Sequence, residues 1–295
     1  MMTKYPIGHI RRTVSCLVIL QTAFLLAGCT SKPADNNKNS LSESRMDATS
    51  NDGFVPLFNG KDFNDWELLL RNGSTSEIKK VYTIGEDGIL HFFRDLPENS
   101  GSTTRINAFH GVMVTKKSYS MYHLKFEFKW GKKPVNNFHQ FQYDAGVFYQ
   151  IEEVKVFPIG LQYQIRYNHL EDTNHVGDFW AAGTTMQWYS EDGNTFKLPS
   201  KGGVKQPLKE GEHRAVSGAS FHGLDDEWNQ CEIIVMGDEY VIHKLNGSIV
   251  NMATDLRNDK GPIALEAETV EIFWKNIQIK EFEEPISMQK FLGEG

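Results

Sequence analysis

One nine-residue run constrains the fold more than any other feature of this chain. Large apolar side chains occupy every second position from Tyr122 to Trp130. The positions between them carry polar or charged side chains: His123, Lys125, Glu127 and Lys129. A helix would spread the apolar residues around its circumference, whereas a strand collects them on one face. The run therefore predicts a β-strand with one buried face.

The same period of two returns in residues 161–167. Apolar residues alternate there with Gln162, Gln164 and Arg166, so these three polar side chains share one face of a predicted strand. If that face is concave, the three side chains line a cleft; otherwise they are solvated. The pattern alone leaves both interpretations open.

Turn signals favour an all-β architecture. Residues 240–245 and 248–252 flank Asn246-Gly247, a dipeptide typical of two-residue hairpin turns. Residues 262–267 and 270–280 are predicted as the last two strands. Turn residues recur about every 8 to 12 positions, which is typical of a β-sandwich or barrel.

Helical periodicity is weak throughout the sequence. Residues 113–118 and 286–292 would form a turn or two of helix at most. Residues 190–223 are rich in Gly, Lys and Ser and are predicted as a long surface loop that borders a binding face.

The first 28 residues have the three parts of a signal peptide. Lys4, Arg11 and Arg12 precede an apolar stretch at 14–26, which is too short and interrupted for a membrane-spanning helix. The stretch ends in Leu26-Ala27-Gly28-Cys29, which resembles the bacterial lipobox. We therefore expect cleavage before Cys29 and lipidation of its thiol, although an ordinary signal peptide ending near a cysteine is the alternative.

The rest of the chain divides by composition. Residues 29–52 are polar and are predicted as a disordered tether, residues 53–283 as the folded domain and residues 284–295 as a C-terminal tail. The expected location is the cell envelope, with the lipid on Cys29 in a membrane. Thr30-Ser31 lacks the Asp that retains many lipoproteins in the inner membrane, which favours the outer membrane by analogy.

Charge and cysteine content argue against a nucleic-acid partner and against an intrachain disulfide. The formal charge of the chain is −7, and the predicted cleavage removes only positive charges, so a nucleic-acid partner is not expected. Cys16 lies in the predicted signal peptide and Cys29 would carry lipid. Cys231 alone remains, so no intrachain disulfide is expected.

Residues 53–66, Gly-Phe-Val-Pro-Leu-Phe-Asn-Gly-Lys-Asp-Phe-Asn-Asp-Trp, resemble the opening signature of the 3-keto-disaccharide hydrolase family. This family was long known as a domain of unknown function, and many of its members are lipoproteins. Further matches follow in the order of the family: 124–128, 144–148, 163–165, 177–180, 227–229, 245–247 and 275–277. Each motif is weak alone, and their shared order carries the resemblance.

The resemblance implies a concanavalin-like jelly roll whose concave face binds sugar. It also implies cleavage of glycosides that are already oxidised to a ketone at C3. The chain departs from the family pattern at three positions. Gln162 stands where the pattern has Glu, Glu266 where it has Gln, and Lys275 where it has Arg.

The family-matching segments supply the candidate site. Asp144, Asp178 and Glu268 are the predicted acid–base residues, because elimination next to a ketone needs a base and an acid. The predicted substrate-binding residues are Gln162, Gln164, Arg166, His175, Trp180 and Lys275. Four of them have alternatives. Asp144 would cap a turn, and Asp178, predicted to lie in a polar loop, would face solvent. Glu268 would be a rim charge, and Lys275 would pair with Glu266 or Glu271.

Aromatic residues divide into candidate sugar platforms and core residues. Trp180 and, more weakly, Trp188 are candidate platforms, while Trp66, Trp130 and Trp228 are predicted core residues. 

No cofactor is expected from the sequence, although a divalent metal is possible. Asp172, His175 and Asp178 recur at spacings of three, without a His-Glu-x-x-His motif or a cysteine pair. The sequence also lacks the Gly-x-Ser-x-Gly motif of serine hydrolases. Two other functions stay open: a non-catalytic carbohydrate-binding lipoprotein and a glycosidase of unmodified glycans.

Overall fold

The structure is a computed structural model that describes residues 52–101, 108–136 and 143–293. Its strands are β1 (Val55–Pro56), β2 (Trp66–Leu70), β3 (Tyr82–Ile84), β4 (Leu90–Phe92), β5 (Gly111–Thr115), β6 (Met121–Pro134), β7 (Tyr143–Glu153), β8 (Ile159–Asn168), β9 (Thr173–Asn174), β10 (Phe179–Ala182), β11 (Gln187–Ser190), β12 (Val204–Lys205), β13 (Gly211–His213), β14 (Asn229–Met236), β15 (Tyr240–Leu245), β16 (Ser248–Thr254), β17 (Ala264–Ala267) and β18 (Val270–Glu281). The helices are α1 (Thr75–Val81) and α2 (Met288–Leu292), with a 3₁₀ turn at Pro199–Lys201.

The strands form two antiparallel sheets. The ten-stranded sheet runs β12-β11-β16-β15-β14-β6-β18-β4-β3, with β1 paired to β18. The eight-stranded sheet runs β13-β10-β8-β7-β17-β5-β2, with β9 paired to β8. Hairpin neighbours such as β14, β15 and β16 alternate with neighbours that are distant in sequence, such as β6 with β14 and β17 with β5, as in jelly rolls. The prediction of an all-β jelly-roll sandwich with two antiparallel sheets is confirmed.

The aromatic alternation in β6 builds the interior of the sandwich. Tyr122, Leu124, Phe126 and Phe128 are buried in the main core, whereas the alternate side chains are only partly buried. β6 lies between β14 and β18, so both of its edges are hydrogen-bonded. The strand prediction for this run is confirmed.

The strand β8 differs from the expected half-buried strand because both of its faces are buried. Leu161, Tyr163 and Ile165 belong to the main core between the sheets. Gln162 and Gln164 point to the opposite face and are also buried. A second, smaller apolar cluster lies on that outer face of the eight-stranded sheet: Val112, Val114, Phe148, Ile151, Ala182 and Ala264.

The predicted hairpin is present between β15 and β16. Asn246 and Gly247 both adopt left-handed conformations, with φ of 47° and 81°. Glycine and asparagine tolerate such angles best, which explains why this dipeptide closes a two-residue turn.

Two local predictions are corrected. Residues 113–118 do not form a helical turn, because β5 pairs with β17 on one side and β2 on the other. The region 190–223 is not a plain loop, since it contributes the short strands β12 and β13 to the sheets. Helix α2 confirms the expected turn of helix near the C-terminus, whereas helix α1 was not predicted.

The N-terminal predictions concern residues outside the described ranges. The signal peptide, the lipidated Cys29 and nearly all of the tether lie within residues 1–51 and stay predictions. In the part of the chain that the structure describes, neither helix has the length and apolar character needed to cross a bilayer.

The packing of the sandwich predicts that replacing two tryptophans, Trp274 and Trp228, by alanine lowers the free energy of unfolding by very different amounts. Trp274 is fully buried and packs against Phe92, Phe126 and Phe128 at ring-centroid distances of 5.9, 5.9 and 6.2 Å. Trp274→Ala should lower the free energy of unfolding by about 3–5 kcal/mol, because it leaves a cavity. Urea denaturation measures this change.

Trp228 provides the matched control. It is only partly buried, contrary to its prediction as a core residue, and Lys275 Nζ lies 4.1 Å from its ring centroid. Trp228→Ala should cost about 1 kcal/mol or less. Equal losses in the two variants would contradict this description of the core.

Candidate functional site

A cleft of about 140 Å³ opens on the outer face of the eight-stranded sheet. It is polar at its floor and aromatic at its walls. Its lining residues are Asp144, Phe157, Gln162, Gln164, Arg166, Trp180 and Glu268. Six of these seven residues were predicted as site residues from the sequence, and the structure brings these six together in one cleft.

Strand register explains how these side chains meet. On β7 and β8, Asp144 lies opposite Arg166 and Gly146 opposite Gln164. On β10, Trp180 lies opposite Gln162. Residues spaced by two on one strand share a face, so the neighbouring strands build one continuous polar floor.

Two close contacts complete the floor of the cleft, one between Gly146 and Gln162 and one between Thr269 and Asp144. A Cβ atom on Gly146 would lie 2.1 Å from Gln162 Nε2. Glycine at this position therefore leaves room for the Gln162 side chain to lie over β7. Thr269 ties the turn after β17 to β7, because its Oγ1 accepts the Asp144 amide N–H at 2.8 Å. This contact brings Glu268 beside Asp144.

Each glutamine of the floor donates to a buried carboxyl group. Gln164 Nε2 donates to Asp144 Oδ1 at 2.5 Å, and Gln162 Nε2 donates to Glu266 Oε2 at 2.5 Å. Both carboxyl groups are almost completely buried, and a buried carboxyl group needs such partners. The paired side chains therefore hold one another in fixed positions.

His110 and Arg71 form a second layer behind Glu266. The Arg71 Nη2–H donates to His110 Nδ1 at 2.6 Å, so the assigned tautomer donates from Nε2 to Glu266 Oε1 at 2.8 Å. Burial lowers the pKa of His110 to about 4, with nearby Arg71 acting in the same direction and Glu268 opposing them. His110 is therefore a neutral donor at physiological pH.

Burial dominates the electrostatics of the cleft. It raises the pKa of Asp144 well above its usual range, and the negative charge of Glu268 adds to this effect. It also raises the pKa of Glu268 to about 7, helped by Glu266. A group that titrates near neutral pH, as Glu268 does, is suited to general acid–base catalysis.

Asp178 and His175 lie beside the cleft, not in its lining. The carboxylate of Asp178 is almost completely buried and accepts the Ala215 amide N–H at 2.6 Å. It also contacts His175 Nδ1 at 3.1 Å and Arg214 Nε at 3.3 Å. Asp178 therefore anchors a network, and its proposed acid–base role would have to act through neighbouring residues.

The His175 network reaches the cleft through one residue. Arg166 contacts His175 Nδ1 at 2.9 Å and pairs with Glu212. Burial opposes protonation of His175, but the hydrogen bonds to Asp178 and Glu212 outweigh it and raise the pKa of His175. The network holds the guanidinium of Arg166 in place at the cleft.

Lys275 is not part of this cluster, contrary to the sequence-based expectation. It lies on β18 of the ten-stranded sheet, where its Nζ pairs with Glu127 at 3.3 Å and lies over the Trp228 ring. The order of motifs along the chain does not reveal which sheet a strand joins, and β18 joins the other one. Trp188 is also corrected, since it is a core residue whose indole N–H donates to Asn251 at 2.8 Å.

The sequence did not predict three residues, one in the lining of the cleft and two in the hydrogen-bonded layer behind it. Phe157 forms part of the wall from the turn between β7 and β8, and its ring lies 5.4 Å from that of Phe148. His110 gave no signal, as a lone histidine before a strand. Glu266 was noted only as a departure from the family pattern, although a charged residue within Ala-Leu-Glu-Ala was a usable signal.

Two groups within the described ranges place atoms of three His, Asp or Glu residues within 4.8 Å of one another: His110 with Glu266 and Glu268, and His175 with Asp178 and Glu212. In each group, an arginine lies within hydrogen-bond distance of the histidine: Arg71 in the first, Arg166 and Arg214 in the second. The guanidinium groups already supply positive charge there.

Comparison with known protein families identifies the family of this chain. The model of the 3-keto-alpha-glucoside-1,2-lyase-like domain matches residues 53–280. The chain belongs to this family. The match confirms the family predicted from the motifs, and it supports a function on carbohydrates.

Individual relatives are remote from this member of the lyase-like family. Two Parabacteroides distasonis proteins, provisionally described as glycosyl hydrolases, share 21% and 17% identity, each with a TM-score of 0.47. They cover 79% and 78% of this chain and 95% and 99% of their own. The carbohydrate-binding module CBM66 from Bacillus subtilis shares 8% identity, covers 74% of this chain and 96% of its own, and has a TM-score of 0.41. No curated protein matches the chain.

The buried carboxyl group of Asp144 predicts a specific dependence of stability on pH. Its pKa is higher in the folded protein than in the unfolded chain, so the folded protein keeps a proton that the unfolded chain loses above about pH 4. The contribution of Asp144 to stability therefore falls as pH rises. Asp144→Asn should be at least as stable as the wild type at pH 8.

Thermal denaturation at pH 5 and pH 8 measures this effect. The melting temperature of Asp144→Asn relative to the wild type should rise from pH 5 to pH 8. A variant that is destabilised equally at both values would contradict the raised pKa of Asp144.

Proposed function

We propose that this protein cleaves 3-keto-glycosides by elimination at C2 and C1, followed by addition of water. The observation that carries the proposal is the pair Asp144 and Glu268, two protonatable carboxyl groups at one sugar-sized cleft. A ketone at C3 acidifies the C2 proton, so one base and one acid suffice. The family description supports this chemistry.

Glu268 is the general base in this proposal. It lines the cleft and is only partly buried, so its carboxylate is accessible to a sugar. With a pKa of about 7, a large fraction is ionised at neutral pH and retains high basicity. Glu268 would remove the proton from C2, and the electron pair of that bond would form an enolate with its charge on the C3 oxygen.

Asp144 is the general acid. Burial keeps its proton in place at neutral pH, and the Gln164 amide fixes the orientation of the carboxyl group. As the enolate collapses, the bond between C1 and the leaving oxygen breaks, and Asp144 gives that oxygen its proton. Water then adds across the resulting double bond and yields the free 3-keto sugar.

The other cleft residues would bind and orient the sugar. The Arg166 guanidinium is the nearest fixed positive charge for the enolate oxygen, since the His175 network holds it at the cleft. Trp180 and Phe157 offer aromatic faces for the apolar side of a pyranose ring. Gln162 would contribute a polar contact from the floor.

A carbohydrate-binding protein without catalytic activity is the second candidate. The observation that favours it is Gln162, which stands where the family pattern has a potentially catalytic Glu. Cleavage of unmodified glycans is the third candidate, since buried carboxyl pairs also serve glycosidases. Turnover of 3-keto-trehalose and of trehalose separates the three functions.

Glu268→Gln and Asp144→Asn test the proposed roles. Each should lower kcat for 3-keto-trehalose about 100- to 10,000-fold, because each removes one proton-transfer group and keeps the side-chain shape. Glu271→Gln is the control, since Glu271 contacts His91 on the other sheet. Full activity of both cleft variants would exclude these assignments.

Deuterium labelling tests the order of bond cleavage. When the wild type acts in D₂O, elimination and re-addition should place deuterium at C2 of the released 3-keto sugar. A direct displacement at C1 would leave the C2 hydrogen unexchanged. A product without deuterium at C2, in a control where free 3-keto sugar does not exchange, would therefore contradict the proposal.

We also propose that a lipid on Cys29 anchors the protein in the cell envelope. Cys29→Ser should abolish labelling by an alkyne fatty acid and move the protein out of the membrane fraction. The measurement is gel fluorescence together with fractionation of the producing cells. Unchanged labelling of the Ser variant would contradict the anchor.

A further inference from the structure

His243 is a fully buried histidine inside the sandwich, and the proposed mechanism leaves it unused. It lies on β15 of the ten-stranded sheet. Its ring packs across the sandwich against Phe179 and Tyr163 of the eight-stranded sheet, at ring-centroid distances of 4.0 and 4.5 Å. A polar ring in such a place is costly unless its nitrogens find hydrogen-bond partners. The partners of His243 therefore indicate why a histidine stands there.

Both ring nitrogens of His243 bind groups of the opposite layer. Nδ1 lies 3.0 Å from the carbonyl oxygen of Gly177, and Nε2 lies 2.8 Å from the hydroxyl oxygen of Tyr149 on β7. A carbonyl oxygen can only accept, so Nδ1 carries the hydrogen and Nε2 accepts the Tyr149 O–H. Burial lowers the pKa of His243 to about 3, against the opposing effect of the Gly177 contact, so the ring is neutral at physiological pH.

Asn251 lies opposite His243 on the neighbouring strand β16 and binds the same carbonyl group. Its Nδ2 donates to the Gly177 carbonyl oxygen at 3.3 Å and to the His213 carbonyl oxygen at 3.0 Å. Its Oδ1 accepts the Trp188 indole N–H at 2.8 Å, which fixes the orientation of the amide. Two buried side chains of the ten-stranded sheet thus hold two carbonyl groups across the sandwich.

These two carbonyl groups belong to segments that carry the His175 network. Gly177 directly precedes Asp178, and His213 directly follows Glu212 on β13. Asp178 and Glu212 are the two carboxylates in contact with His175. The network that holds the cleft guanidinium is therefore attached to the opposite sheet at both of its carboxylates.

The turn at residues 175–178 is held from two sides. The Gly177 N–H donates to the Gln164 carbonyl oxygen and the His175 N–H to the Arg166 carbonyl oxygen, both at 2.9 Å. Strand β8 therefore binds the amide N–H groups of the turn, whereas the ten-stranded sheet binds its Gly177 carbonyl group. Loss of either side would let the turn shift relative to the Arg166 side chain.

We propose that His243 and Asn251 are positioning residues, which hold the 175–178 turn and β13 across the sandwich and so fix the guanidinium of Arg166 at the cleft. The role of Arg166 toward the enolate oxygen rests on the function proposed above. Neither His243 nor Asn251 lines the cleft, so both act on a sugar only through the network.

Two amide variants of His243 separate its two contacts. In His243→Asn the amide nitrogen lies near the place of Nδ1, so a donor to the Gly177 carbonyl group is kept. In His243→Gln the amide reaches the place of Nε2, so the Tyr149 hydroxyl keeps a partner and the Gly177 carbonyl group loses its nearer donor. Both variants replace the same buried ring by an amide, so each controls for the lost packing of the other.

His175 reports the geometry of the network without any turnover. The charged groups in contact with it are Arg166, Asp178, Glu212 and Arg214. Burial opposes protonation of His175, but its hydrogen bonds to the two carboxylates raise its pKa above the usual 6.5. A displaced turn weakens these hydrogen bonds, so the midpoint of the His175 titration should fall.

Proton NMR follows this titration, with the His175 signal assigned from His175→Gln. The midpoint in His243→Gln should fall by about half a pH unit toward 6.5, and that in His243→Asn should stay within about 0.2 unit of the wild type. An unmoved midpoint in His243→Gln, or equal shifts in the two variants, would overturn the proposal.

Kinetics with 3-keto-trehalose give the second readout. His243→Gln should lower kcat about 10-fold and change KM less than about twofold, because the enolate charge develops only after the substrate has bound. His243→Asn should keep most of the wild-type kcat. If the wild type is active, an unchanged kcat in His243→Gln would overturn the proposal. A wild type without turnover would overturn the proposed function alone, since the His175 titration tests the positioning by itself.

Tyr240→Phe is the matched control, because Tyr240 is buried on the same strand and its O–H donates to the Ile286 carbonyl oxygen. It should leave the His175 midpoint and kcat unchanged, and a shift equal to that of His243→Gln would overturn the proposal. If His243→Gln fails to fold, Asn251→Leu carries the test, since it removes the donors to both carbonyl groups. An unmoved His175 midpoint in Asn251→Leu would overturn the proposal.

Discussion

The candidate site depends on the burial of carboxyl groups on the sheet face opposite the main core. A carboxylate is costly to bury, and the cost falls only where N–H donors meet its oxygens. Strand β8 supplies two such donors from one face, Gln162 to Glu266 and Gln164 to Asp144. The alternating sequence of a single strand thus supports two buried acids, one on β7 and one on β17, whose pKa values are raised by burial.

Alternate residues of β8 face the main core and the cleft, so packing of the core also positions the side chains of the candidate site. Tyr163 packs between the sheets, while Gln162 and Gln164 on either side of it point to the cleft. The period of two that fills the sandwich with aromatic rings therefore also aligns the cleft floor. The supporting network of Asp178, His175 and Arg214 restrains Arg166 in the same way from the side. Strand register positions Asp144 and the two glutamines, whereas Glu268 is placed by the turn after β17 that Thr269 ties to β7.

Local periodicity predicted the sheets and the β8 face because both depend on neighbours along the chain. It did not predict the Gln162–Glu266 contact, since β8 and β17 are both bonded to β7 but lie about a hundred residues apart. Lys275 was misplaced for the same reason, because motif order does not assign a strand to a sheet. Asp178 was predicted correctly as a member of a polar loop, but its burial, which decides what it can contact, depends on tertiary packing.

A crystal structure of Glu268→Gln with bound 3-keto-trehalose tests the central claim most directly. The account predicts the ketone ring in the cleft against Trp180, with C2 within about 3–3.5 Å of the residue-268 side chain and the glycosidic oxygen facing Asp144. A sugar bound in this cleft with C2 turned away from residue 268, or bound only at a surface of the ten-stranded sheet, would contradict it.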